Sequence, residues 1–73
     1  MTRLAVAVQT EAARRSGDNE VRLRVWFVDV STPFFSAEIA VKPPRARNRY
    51  EDGKGHSADS AIEALADKLG VAL

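Results

Sequence analysis

The segment that most constrains this chain is Gly53-Lys54-Gly55-His56-Ser57 running into Ala58-Asp59-Ser60-Ala61-Ile62-Glu63-Ala64-Leu65-Ala66-Asp67-Lys68-Leu69-Gly70. It reads as a glycine turn, a serine cap, one amphipathic helix and a glycine stop. The Ser57 hydroxyl can take the free amides of a first helical turn, and Asp59 suits the positive end of the helix. Lys68 suits the negative end. Gly70 suits the left-handed closing position, with Val71 folding back behind it. Ala58, Ala61, Ile62, Leu65 and Leu69 fall on one stripe at helical spacing, while Asp59, Ser60, Glu63 and Asp67 face water. Such a stripe must be buried against another element.

Upstream, three runs alternate as half-buried strands do. Residues 3–9 set Leu4, Val6 and Val8 against Ala5 and Ala7. Residues 21–30 set Val21, Leu23, Val25 and Phe27 against Arg22, Arg24 and Trp26, and the pattern breaks at Asp29. Residues 35–42 set Phe35, Ala37, Ile39 and Val41 against Ser36, Glu38, Ala40 and Lys42. Ser16-Gly17-Asp18-Asn19 marks the first connection, in which residues 11–15 add a turn of helix. Ser31-Thr32-Pro33 marks the second. Pro43-Pro44 ends the third run, because neither residue donates to a ladder. The expected fold class is α+β: β-β-β-α, a three-stranded antiparallel sheet with one C-terminal helix packed on one face, in a single domain over residues 1–73.

A chain of 73 residues holds one small core, which supplies about 3–5 kcal/mol of net stability. With no cysteine, disulfides and thiolate zinc sites are excluded. The single histidine, His56, would leave a zinc ion mostly to carboxylates, an uncommon ligand set. Leu4-Ala5-Val6-Ala7-Val8 is too short for a signal-peptide core or a membrane span. These features predict a soluble, cytoplasmic protein with no metal, no cofactor and no membrane partner.

No segment carries a complete catalytic constellation. His56 has no nucleophile or acid that spacing places beside it. Gly53-Lys54-Gly55 lacks the spacing of a phosphate loop, and Glu51-Asp52 offers too few oxygens for a calcium loop. The expectation is a binding protein with no catalytic residue.

Its charge is segregated. The net +1 conceals four cations and no acid from Lys42 to Arg49, then five acids against Lys54 alone from Glu51 to Asp67. Lys42, Arg45, Arg47, Arg49 and Tyr50 therefore form one candidate partner-binding segment, extended and proline-stiffened, with arginines projecting together on one side. It suits phosphates or an acidic protein surface; the alternative is a solvated loop that offsets the acidic helix. The second candidate is the sheet face that the helix leaves open, where Arg22, Arg24 and Trp26 stand among small residues such as Ala5, Ala7 and Ala40. Tryptophan and arginine are enriched at binding hot spots, and the same set stacks on single-stranded nucleic acid. The alternative is that Trp26 and the arginine stems simply shield the sheet.

The pattern Gly53-x-Gly55-x-Ser57-x-x-x-Ala61-x-x-x-Leu65-Ala66-x-x-Leu69, after a three-stranded sheet, resembles the C-terminal part of double-stranded-RNA-binding domains. That family reaches phosphates with lysines in the first turn of this helix and reads the minor groove with an N-terminal helix. Here Ala58, Asp59 and Ile62 stand where those lysines belong, and residues 3–8 read as a strand. The resemblance implies the fold rather than the RNA contact. In size and composition the chain is also similar to accessory proteins of bacteriophages and prophages, the anti-CRISPR proteins among them. That resemblance implies a non-enzymatic inhibitor or modulator docking on a bacterial nucleic-acid-handling complex inside the host cell. A small nucleic-acid-binding protein is the alternative, and exposed sheet edges also allow a homodimer through an edge or the open face.

Overall fold

A computed structural model of the chain describes residues 2–72. Residues 3–9, expected as the first strand, instead open a helix, α1 (Arg3–Ser16). The alternation of Leu4, Val6 and Val8 spans too few residues to outweigh a longer period: Ala5, Val8, Ala12 and Ser16 are all buried and recur every three or four positions. Both ends of α1 are closed locally. The Thr2 hydroxyl accepts from the Ala5 amide at 3.1 Å, and Gly17, at φ 70°, donates its amide to the Ala13 carbonyl. The helical turn expected at 11–15 is the end of this helix.

The sheet has three antiparallel strands, β1 (Arg24–Val28), β2 (Phe34–Ala40) and β3 (Tyr50–Gly55), in the order β1-β2-β3. The architecture is α+β, and its C-terminal helix, α2 (Ala58–Leu69), packs on one face of the sheet. The third strand is thus Tyr50–Gly55, where the sequence suggests an acidic pair and a glycine turn. Neither Gly53 nor Gly55 has a left-handed backbone. Their glycines answer to the helix above. A Cβ on Gly53 would lie 2.3 Å from the Leu65 amide nitrogen, and one on Gly55 would lie 2.7 Å from that of Ala61. Strand and helix meet there backbone to backbone.

The register aligns Val25, Ala37 and Gly53, and likewise Phe27, Phe35 and Gly55, on the helix side. Beneath the helices, Val8, Ala37, Ile39, Ala61 and Leu65 are fully buried or nearly so. Ser57 and Ser60 form a reciprocal capping box at the start of α2. At its end Gly70, at φ 67°, donates to the Asp67 carbonyl, and the Val71 amide reaches the Ala66 carbonyl at 2.9 Å. Arg15 Nη2 donates to the Leu69 carbonyl at 2.6 Å and ties the two helix ends together. No helix among the described residues is long and apolar enough to cross a membrane.

Candidate partner-binding face

The side of the sheet away from the helices carries Arg24, Trp26, Ser36, Glu38, Asp52 and Lys54, with Phe34 and Tyr50 in the flanking rows. Arg24 and Trp26 stand on this open face as expected, and Trp26 is 39 % exposed. Ala5 and Ala7 do not, because their segment is helix α1 and lies on the other side. Three aromatic rings share the face, and each holds a cation. The guanidinium carbon of Arg24 lies 5.7 Å from the Trp26 ring centroid, that of Arg49 lies 5.5 Å from Tyr50, and the Lys54 ammonium lies 5.5 Å from Phe34. Ser36 is buried between its register neighbours Trp26 and Lys54, so these side chains also shield the sheet.

The loop 41–49 follows β2 at one edge of this face. It is not extended. The Ala46 amide donates to the Pro43 carbonyl at 3.1 Å across a turn with Pro44 and Arg45 at its centre. Arg45 takes φ 72°, a conformation that this turn ordinarily gives to glycine, and Asn48 takes φ 53°. The chain therefore turns at 44–45 and again at 47–48.

Arg49 departs furthest from expectation. Its Nε donates to the Lys42 carbonyl at 3.2 Å, its Nη1 to the Tyr50 hydroxyl at 3.4 Å, and its Nη2 lies 3.5 Å from Asp18 Oδ2. The Val41 amide bonds to the Arg49 carbonyl at 2.7 Å. Arg49 is a brace for the loop rather than a free cation. Among the described residues, Lys42, Arg45 and Arg47 have no acid within ion-pair reach, and all three are exposed.

Loop and sheet meet at a depression of about 270 Å³ that brings Arg22, Arg24, Arg49 and Tyr50 together, with Asp18 and Glu20 on its rim. Of the eight candidate residues, Arg24, Trp26 and Tyr50 stand on the open face and Arg22 and Arg49 line this depression, while Lys42, Arg45 and Arg47 belong to the loop that follows β2. Phe34 and Lys54 complete the face and were not read as site residues from sequence. Phe34 was legible, since it shares the parity of Ser36 and Glu38. Lys54 was hidden by reading its flanking glycines as a turn.

On the opposite layer Asp59, Glu63 and Asp67 stand exposed at successive turns of α2, while Lys68 turns toward Asp52, at 3.7 Å, and Glu51. The described residues include no group of three or more metal-binding side chains. Comparison of the chain with family models, curated proteins and solved structures finds no match.

Proposed function

We propose that this chain is a non-enzymatic docking module that engages a protein partner through its open sheet face and the 41–49 loop. One observation carries the reading: three aromatic–cation pairs share one face, and the loop that follows β2 carries three exposed cations without acid partners among the described residues. Aromatic rings with arginine make binding hot spots, and free cations at the rim steer an acidic surface toward them. Glu38 and Asp52 interrupt the middle of the face, which fits a protein surface of both signs better than a strand of phosphates. A small phage or prophage inhibitor of a bacterial nucleic-acid-handling complex, of the anti-CRISPR kind, has this character. The test compares capture of a bacterial partner by the wild-type chain, Trp26→Ala, and the pair Arg45→Ala with Arg47→Ala. The expected outcome is a loss of at least tenfold in affinity with circular dichroism unchanged. Full affinity in both variants overturns the assignment.

Nucleic acid is the second reading, favoured by the element order helix, three antiparallel strands, helix. The resemblance of the last half of the chain to double-stranded-RNA-binding domains supports this reading, and an N-terminal helix is compatible with it. Contacts would run through Lys42, Arg45 and Arg47, since Asp59 opposes phosphates at the start of α2. Its signature is binding to duplex or single strands that weakens steeply with salt.

A further inference from the structure

The two edges of the sheet are built differently. β3 carries Glu51, Asp52 and Lys54, the charges that keep an edge from pairing with other chains. β1 is Arg-Val-Trp-Phe-Val, without proline, lysine or acid. It also overhangs the helices, which pack mainly over β2 and β3. Val25 is 37 % exposed and Phe27 52 % exposed although both lie on the helix side, and Val30 just beyond the strand is 52 % exposed. Phe27 touches the rest of the fold through Phe35, with ring centroids 5.2 Å apart. Apart from Arg24 the edge is apolar on both faces, and among the described residues its outward backbone groups are unpaired in the sheet.

We infer that β1 pairs antiparallel with β1 of a second copy, joining two sheets into one of six strands. The strand is complementary to itself. A two-fold axis at Trp26 sets Trp26 against Trp26 on the open face and Val25 against Phe27 on the helix side, each apolar group meeting another. Arg24 then stands opposite Val28, and no charge faces a like charge. The strip that one copy leaves bare on the helix side matches in length and chemistry the strip that the other offers. A net charge of +1 per chain opposes the association only weakly. The dimer merges two open faces and places two 41–49 loops on one platform. The inference stands whether that platform receives a protein or a nucleic acid.

Sedimentation of the intact chain tests it. The expected species at millimolar concentration has twice the 8.0 kDa mass of the chain, and Phe27→Lys shifts it to monomer with its circular dichroism retained. Hydrogen exchange of the wild type supplies a reading independent of any variant: outward amides of β1 exchange at least tenfold more slowly in the concentrated sample than in the dilute one. A monomer at millimolar concentration overturns the inference. So does a dimer that persists in folded Phe27→Lys, or β1 amides whose exchange ignores concentration.

Discussion

The two helices cover the same side of the sheet but meet it at different depths. α2 lies on β3 backbone to backbone at Gly53, with only the Ser60 hydroxyl and nearby backbone against Gly55, and it sends Ala61, Ile62, Leu65 and Leu69 into the core. α1 reaches β2 and α2 through Ala5, Val8 and Ala12, only one of which is larger than alanine. The fully buried large side chains are thus concentrated in the wedge of α2, β2 and β3, with α1 as a lid of mostly small residues joined by the partly buried Leu4. A chain this short keeps its tightest contact where close approach, rather than bulk, excludes water.

This contrast is most easily broken at Gly53. A Cβ there collides with backbone atoms that no rotamer change can move, so Gly53→Ala is expected to lose more than about 4 kcal/mol, enough to unfold a domain of this size. A cooperative thermal transition near that of the wild type would refute the close approach. The next effect is a difference. Leu65→Ala is expected to lose about 2–5 kcal/mol, whereas Val8→Ala removes two methyl groups at ~0.8 kcal/mol each. Equal losses in urea denaturation would erase the distinction between wedge and lid.

The smallest effect sharpens the lid alone. The Arg14 guanidinium, and then that of Arg15, bonds Glu11 and lowers its pKa from 4.5 to about 2. A carboxylate whose pKa is depressed by folding contributes stability above its unfolded pKa and loses it as pH falls through the folded one. The stability difference between wild type and Glu11→Gln should therefore hold at neutral pH, shrink from pH 4.5 downward, and vanish below about 2. Added salt should reduce it throughout, since the pair lies at the surface. A difference that does not change with pH would assign the effect to packing.

The same contrast explains what could be read from the chain before its structure. α2 was legible because its signals are local: cap, stripe, closing glycine and charges lie within fourteen residues. α1 was not, because Leu4, Val6 and Val8 alternate like a strand across one end of a longer helical stripe. Its best clue was the spacing of Glu11, Arg14 and Arg15, whose pairs form only on a helix. β3 escaped notice because its glycines answer to Ala61 and Leu65, a long-range demand that local propensity does not express. In the candidate face, Arg24, Trp26 and Tyr50 followed from alternation and the loop boundary. The role of Arg49 did not, since Asp18 belongs to a turn some thirty residues earlier.

The bracing of the 41–49 loop has a meaning in time as well as in space. A slack basic loop must be ordered at each encounter, at about 1–2 kcal/mol per residue of backbone fixed. Pro43, Pro44, the left-handed Arg45 and Asn48, and the Arg49 brace have already ordered this one during folding. In the docking proposed, association then follows the charge of Lys42, Arg45 and Arg47 and slows as salt screens them. The lifetime of the complex belongs to Trp26, Phe34 and Tyr50, whose contacts salt barely touches. On that proposal the loop governs how quickly a partner is found, and the sheet how long it is kept.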